Sequence, residues 1–293
     1  MDISSFFHDG QGDPSYCAWR DSDDEQLKSW IQTVWSRFQP FCPDPVHFLT
    51  DARVRPQQRF WEMFLGWTLL ELGHTLEKPK TKGPDHIVVR PTDRVLVEAV
   101  CPYAGTGKDA AVRRFINKHR FTLDRRAMRL RYASALADKL KQYNDRLSGG
   151  IVQSDEPYVV ALSGGLISDS DLDKGLPEIV NLLFAVSDLA LQVPLYSDEE
   201  PRPFLVEEKS MTKKTTKAAV DSGLFFDQKY AGFSGVLFSP RPFFRGPPRT
   251  IGNDFVFVPN PKANVPLAPD TFRCGRAFMF ENDAIRKQQI GPD

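Results

Sequence analysis

Two apolar runs constrain the fold of this chain more than any other feature of its sequence. The segment 94–100 (RVLVEAV) carries apolar residues at both odd and even positions, and so does the segment 157–163 (PYVVALS). Because successive side chains of a strand point to opposite faces, each run is apolar on both faces. A strand of this kind is buried between two layers. The sequence therefore predicts a central sheet that is covered on both sides.

Helical periodicity in other segments supplies the covering layers. The predicted helices are residues 21–38, 56–72, 124–147 and 176–193. The predicted strands are 86–90 and 94–100, joined as a hairpin, followed by 157–163, 233–239 and 254–261. Residues 1–19 are predicted to form a loop. This order of elements predicts a mixed α/β domain with helices packed on a central sheet.

The patterns of predicted helices and strands divide the 293 residues into three regions. Residues 1–55 are predicted to be an N-terminal helical extension, and residues 56–200 an α/β core. Residues 201–293 are predicted to be a C-terminal β-rich extension packed on that core.

Composition excludes several classes of protein. Lys and Arg number 38 and Asp and Glu number 38, so the chain is not a globally basic nucleic-acid binder. The four cysteines are far apart and the histidines lack metal-ligand spacing, which argues against a zinc site or a disulfide framework. No stretch approaches the length of a membrane span. We expect a cytoplasmic protein without a membrane partner.

Positive charge is concentrated in one segment. Residues 104–146 contain twelve Lys or Arg and four Asp, a net charge of +8. Such a block within a neutral protein is typical of a surface that faces phosphate groups, although a solvated helix face explains the charge equally well. The candidate phosphate contacts are Arg113, Arg114, Lys118, Arg120, Arg125, Arg126 and Arg129.

Two carboxylates fall on the predicted hairpin. Asp85 opens its first strand, and Glu98 lies inside the second strand among apolar residues. Neighbouring strands lie about 5 Å apart, so the two carboxylates can share one hard cation. A buried carboxylate is costly unless it is paired or binds a metal. The alternative is that Glu98 pairs with an arginine of the basic helix.

A third carboxylate lies on the predicted helix 56–72, which is apolar nearly all round and is therefore expected to be buried. Glu62 shares a helix face with Gly66 and Gly73. The two glycines allow this face to approach the sheet closely. Glu71 is the competing carboxylate, but it lies at the helix end, where it reaches water more easily.

These three carboxylates, in this order, resemble the PD-(D/E)xK nuclease superfamily over roughly residues 56–165. The matching elements are a helix that carries Glu62, the Gly-Pro-Asp sequence that ends at Asp85, and the Val-Glu pair that ends at Glu98. The resemblance implies a restriction-endonuclease-like core, in which a mixed central sheet is flanked by helices. It also implies that Asp85 and Glu98 hold Mg²⁺ or Mn²⁺ and that Glu62 orients a metal-bound water.

The implied activity is hydrolysis of phosphodiester bonds in nucleic acid, with DNA favoured over RNA. The family's Glu-x-Lys reads Glu98-Ala99-Val100 here, so the lysine that would stabilise the attacking hydroxide or the transition state is missing from the strand. The alternative is a catalytically inactive nuclease fold that binds nucleic acid or protein. A small-molecule hydrolase is a third reading, and a homodimer is left open.

The missing lysine is predicted to come from the helix 124–147. Its apolar stripe consists of Met128, Tyr132, Leu136, Leu140, Tyr143 and Leu147. At about 100° per residue, Lys139 falls inside this stripe and Lys141 on the opposite face. A lysine in a core-facing stripe either extends to the edge or meets a buried anion. We predict that Lys139 reaches Asp85 and Glu98. The alternative places its ammonium in water at the rim of the stripe.

Overall fold

Six helices and fourteen strands make up the regular structure of the described residues, which in this computed structural model are 2–112, 114–117, 120–122, 124–167, 175–192, 202–242 and 246–291. The helices are α1 (Pro14–Arg20), α2 (Glu25–Phe38), α3 (Pro45–Ala52), α4 (Pro56–Glu71), α5 (Arg125–Ser148) and α6 (Glu178–Leu183). The strands are β1 (Thr75–Glu77), β2 (His86–Val89), β3 (Arg94–Val100), β4 (Arg114–Asn117), β5 (Arg120–Thr122), β6 (Tyr158–Ser163), β7 (Val186–Gln192), β8 (Arg202–Glu207), β9 (Ser210–Thr212), β10 (Ala219–Asp221), β11 (Gly235–Ser239), β12 (Val256–Pro259), β13 (Arg276–Glu281) and β14 (Ala284–Gln289).

Eight of these strands form one mixed sheet in the order β1-β2-β3-β6-β11-β12-β13-β14. The central strands β3, β6 and β11 are parallel, whereas β1, β2 and β3 pair antiparallel. The prediction of a mixed α/β domain with a central sheet is confirmed. Because β11 pairs with both β6 and β12, the sheet continues past the division predicted near residue 200.

Both faces of the central strands are buried, as the apolar runs predict. On β3, Val95 and Val97 join the hydrophobic cluster formed with α2, α3 and α4. Leu96 joins a second cluster, which contains the apolar residues of α5 and α6. The alternation of one strand therefore divides the core into two layers, and each layer brings its own helices to the sheet.

Aromatic side chains of α4 pack within the helix and bond it to the sheet. The ring of Phe60 stacks on that of Phe64 at a centroid distance of 6.0 Å. Trp61 donates its indole N–H to the carbonyl oxygen of Ala161 on β6, at 3.1 Å. This hydrogen bond satisfies a polar group that would otherwise be buried without a partner, and it fixes α4 over the centre of the sheet.

The prediction of a single helix over residues 176–193 is correct for its first part and wrong after residue 183. Helix α6 ends at Leu183, and β7 begins at Val186. Between them Ala185 has φ of 54°, a left-handed conformation that ends the helix. The apolar run from 179 to 193 satisfies a buried helix and a buried strand about equally well, so periodicity alone does not separate them.

Two short helices lie where the sequence predicted a loop or a proline-rich interruption. Helix α1 begins at Pro14, and the side chain of Asp13 accepts a hydrogen bond from the backbone N–H of Ser15. Helix α3 begins in the same way at Pro45, capped by Asp44. A proline at the first helical position preceded by an aspartate is a helix start signal. Both helices are too short to show strong periodicity.

We predict that Gly66→Ala lowers the free energy of unfolding by about 1–3 kcal/mol, the usual cost of overpacking a core. A Cβ at this position would lie 2.7 Å from Phe38 Cδ2 and 2.9 Å from His86 Cε1. In an exposed helix the same substitution would stabilise by about 1 kcal/mol, so the sign of the change is informative. Chemical denaturation measures it, and a more stable variant would contradict the close approach of α4 to β2.

Candidate active site

Asp85 and Glu98 lie side by side on the β2–β3 hairpin. His86 lies opposite Val97 in the antiparallel pair, and the same register brings Asp85 opposite Glu98. Asp85 Oδ2 accepts a hydrogen bond of 2.7 Å from the backbone N–H of Ala99. This bond holds the carboxylate of Asp85 against the neighbouring strand, as a shared site on the two strands requires.

Glu98 meets two cations from α5. Its side chain is 2% exposed, and its Oε1 lies 2.7 Å from Lys139 Nζ. Its Oε2 pairs with the guanidinium of Arg146, which also lies 3.3 Å from the hydroxyl of Tyr158. Lys139 was predicted to reach Glu98, and an arginine of the basic helix was the alternative partner. In the structure Lys139 and Arg146 both pair with Glu98. Two ion pairs offset the cost of burying this charge.

Lys139 forms part of the wall of the site. Its ammonium donates a second hydrogen bond to Gln142 Oε1 at 2.9 Å, and its side chain is 16% exposed. Lys141 is exposed on the other side of α5. Lys139, Gln142 and Arg146 follow one another at spacings of three and four residues, which places them on one face of the helix.

Glu62 approaches the site from the opposite layer. It is buried on α4 and lies 2.5 Å from the guanidinium of Arg59. Arg59 also binds Asp51 of α3 at 2.6 Å, so one arginine connects two helices at the site. Glu71, the competing carboxylate, is exposed at the end of α4, where it lies 3.4 Å from Arg37.

These side chains surround one cleft of about 410 Å³. The cleft is lined by Arg55, Gln58, Arg59, Glu62, Asp85, Glu98, Ala99, Tyr103, Lys139 and Gln142. An adjoining opening of about 260 Å³ shares Arg59, Glu62, Asp85, Glu98 and Gln142, and extends to Lys80 and Arg146. The structure thus brings together the four residues singled out as catalytic, namely Glu62, Asp85, Glu98 and Lys139.

Burial and the negative charge of neighbouring carboxylates disfavour the ionised forms of Glu62 and Glu98. Burial and the nearby charges of Asp85 and Glu98 raise the pKa of Glu62 to about 8, although Arg59 opposes the shift. Burial and Asp85 also raise the pKa of Glu98, against the opposing effect of Lys139 and Arg146. An added cation would favour the ionised forms of both carboxylates.

Asp85 and Glu98 provide the oxygen donors that Mg²⁺ and Mn²⁺ prefer. In the described part of the chain, no group of three or more His, Cys, Asp or Glu side chains stands close enough together to hold a metal ion. Mg²⁺ usually keeps several waters and is bound through one or two carboxylates together with substrate phosphates. Two carboxylates on adjacent strands fit that mode of binding.

Arg125 and Arg129 of α5 have ion-pair partners within the protein. Arg129 is buried, where it lies 3.1 Å from Glu178 and pairs with Glu208. Arg125 lies 3.3 Å from the same Glu178. A phosphate could reach Arg129 only by breaking these buried pairs, so this residue is not a surface contact.

Of the other candidate phosphate contacts in residues 104–146, Arg126 also has partners within the protein, and the side chains of the rest are not described. Arg126 lies 3.6 Å from Asp109 and donates to the carbonyl oxygen of Thr212. Outside the described residues lie Arg113 and Lys118, together with the side chains of Arg114 and Arg120. Among the described side chains of α5, Arg129 is thus buried and paired, whereas Lys141 is exposed.

Two cations of the site were not singled out from the sequence. Arg146 lies seven residues after Lys139, a spacing that puts both side chains on one helix face. Arg59 lies three residues before Glu62, and this spacing likewise makes them neighbours. The helical spacing from Lys139 and from Glu62 is therefore the sequence signal that indicates Arg146 and Arg59. Neither arginine belongs to the nuclease-like motif.

Comparison with protein-family models, with curated proteins and with solved structures gives no match. Within the described residues, none of the helices combines the length and hydrophobicity that crossing a bilayer requires.

The raised pKa of Glu62 predicts a pH-dependent stability. Between about pH 4.5 and 8, folded Glu62 retains a proton that the unfolded chain releases. Stability therefore falls as pH rises through this window, by at most about 1.4 kcal/mol per pH unit. We expect Glu62→Gln to remove this contribution, as measured by urea denaturation at several pH values.

Glu71→Gln is the matched control for this measurement, because Glu71 lies exposed on the same helix. It should leave the dependence of stability on pH unchanged. Parallel pH profiles for the wild type and Glu62→Gln would show that Glu62 is ionised throughout the window.

Proposed function

We propose that this protein is a divalent-cation-dependent nuclease with a restriction-endonuclease-like core. The observation that carries the proposal is the meeting of Asp85, Glu98 and Lys139 at one cleft, with Lys139 Nζ 2.7 Å from Glu98. An acidic pair that can hold a divalent cation, beside a lysine that can stabilise negative charge on a phosphate, is a set of groups able to support phosphodiester hydrolysis. The lysine comes from α5 instead of from the strand that bears Glu98.

Asp85 and Glu98 would hold Mg²⁺ or Mn²⁺. A cation at this position supplies charge neutralisation at the phosphate and lowers the pKa of water. Glu62 lies across the cleft and would orient the attacking water by accepting its hydrogen bond. Burial raises the pKa of Glu62 in the free protein, and a bound cation would favour its ionised form, which accepts a hydrogen bond from water.

Lys139 would stabilise negative charge on the phosphoryl oxygens as the attacking oxygen approaches. For this purpose its ammonium must lean from Glu98 toward the phosphate. Arg146 holds the other oxygen of Glu98, so the carboxylate keeps a partner and its position when Lys139 moves. Under this proposal Lys139 takes part in the chemistry, whereas Arg146 keeps Glu98 in position.

Nucleic acid is the proposed substrate, with DNA to be tested before RNA. The alternative is a nuclease fold that binds nucleic acid or protein without cleaving it. One observation favours this alternative: both oxygens of Glu98 are engaged by side-chain cations. Such a buried ion-pair network needs no metal to balance the charge of Glu98. Metal binding and catalysis therefore require separate tests.

We expect Asp85→Asn and Glu98→Gln each to weaken Mn²⁺ binding by at least about tenfold, equivalent to about 1.4 kcal/mol. Each change removes one of two anionic ligands. Titration calorimetry gives the affinity, and a melting curve checks the fold. Asp93→Asn, in the turn between β2 and β3, is the control and should bind Mn²⁺ like the wild type. Unchanged affinity in the first two variants would refute the metal site.

We expect Lys139→Ala to slow cleavage of plasmid DNA by about 100-fold or more, the usual effect of removing one group that stabilises a developing anion. Lys141→Ala is the matched control on the exposed face of the same helix and should retain the wild-type rate. Equal rates for the two variants would exclude Lys139 from catalysis. Absence of cleavage by the wild type on both DNA and RNA, with either Mg²⁺ or Mn²⁺, would favour the binding module.

A further inference from the structure

The connection between β1 and β2 carries a second concentration of positive charge. Residues 78–83 read KPKTKG, with three lysines and no acidic residue. The side chains of Lys78, Lys80 and Lys82 are all exposed. We call this connection the lysine turn. It directly precedes Pro84 and Asp85, so it is covalently tied to the candidate active site.

The lysines of this turn are free to bind an external anion. Within the described part of the chain, no carboxylate lies within ion-pair distance of Lys78, Lys80 or Lys82. Arg129 of α5 differs in this respect, because it is paired with Glu178 and Glu208. The lysine turn therefore offers positive charge beside the cleft that no described carboxylate pairs with.

The turn has a defined shape. The backbone N–H of Gly83 donates to the carbonyl oxygen of Lys80 at 2.8 Å, which closes a β-turn over residues 80–83. Pro84, which follows, is buried and fixes the chain before Asp85. The lysines are thus presented from an ordered turn next to the acidic pair.

Lys80 lies between two connected spaces. It lines the opening of about 260 Å³ that contains Asp85 and Glu98. With Lys78 and Lys82 it also lines a groove of about 280 Å³ on the outer side of the turn. A chain that passes from the groove into the cleft would contact the lysine turn on its way.

The outer groove offers both charge and apolar surface. Ile151 is 43% exposed at its edge, beside the side chains of Ile87 and Leu96. Its two carboxylates, Glu77 and Glu156, are both engaged by Arg94, at 3.6 and 2.5 Å. Arg94 thus offsets one of the two negative charges of the groove, and the three lysines outnumber the charge that is left.

We propose that the lysine turn holds the phosphodiester backbone of the nucleic acid next to the phosphate at Asp85. This inference rests on the proposed function and adds the surface that positions the substrate. Lys82 is three residues from Asp85, at most about 11 Å along the chain. One strand of a duplex carries a phosphate about every 3.4 Å of its axis. Lys82 is thus within about three phosphates of the site, and Lys80 and Lys78 follow along the chain, while Ile151 would contact sugars or bases.

The test measures binding of a fluorescein-labelled single-stranded oligonucleotide, and of its duplex, in EDTA so that nothing is cleaved. Salt is varied between about 50 and 200 mM, because each phosphate contact contributes a slope of about 0.7 for a single strand. We expect Lys80→Gln to lower the slope by about 0.7 and the triple variant Lys78→Gln, Lys80→Gln, Lys82→Gln to lower it by about 2. Lys287→Gln, on the opposite edge strand β14, should match the wild type.

Each outcome separates this inference from the proposed function. A triple variant that keeps the wild-type affinity and slope, while the wild type cleaves, overturns the lysine turn and leaves the nuclease. A lowered slope without any cleavage by the wild type supports the lysine turn and favours the binding module. Absence of wild-type binding to either oligonucleotide overturns the lysine turn, and it overturns the nuclease as well when the wild type also fails to cleave with Mg²⁺ or Mn²⁺. Melting curves verify the fold, which exposed lysine substitutions should not disturb.

Discussion

The burial of one carboxylate in the middle of a buried strand is the constraint on which the rest of the site depends. Glu98 lies on β3 between β2 and β6, and its two oxygens are held by Lys139 and Arg146. Removing one partner from a buried ion pair typically costs about 3–5 kcal/mol. The placement of α5 on the sheet is therefore tied to Glu98 by charge as well as by the packing of Leu136 and Leu140.

The site is assembled from both layers of the domain. Glu62 comes from α4, on one side of the sheet, and Lys139 comes from α5, on the other side. The β2–β3 hairpin between them supplies Asp85 and Glu98, and the cleft lies where the two layers meet. Under the proposed function, the segment that presents Asp85 also presents the lysine turn, so substrate binding and catalysis share one short connection.

Elements with strong local patterns could be predicted from the sequence, whereas short or ambiguous ones could not. The strands β3 and β6 and the helices α2, α4 and α5 lie where apolar periodicity placed them, within a few residues. Helices α1 and α3 depend on a capping aspartate and a proline, which are weaker signals than periodicity. The second part of the segment 176–193 was misassigned because a largely apolar run is compatible with a helix and with a strand.

The sequence by itself determined which carboxylates lie on adjacent strands and which face of α5 carries Lys139. Both follow from local periods, two residues for a strand and 3.6 for a helix. Only the tertiary structure decided that Arg146 pairs with Glu98, 48 residues away, on the oxygen that Lys139 leaves free. It also decided that Arg129 pairs with Glu208, 79 residues away, and that β11 pairs beside β6. Contacts over such separations depend on how helices cross the sheet and on the order of its strands, which no local pattern specifies.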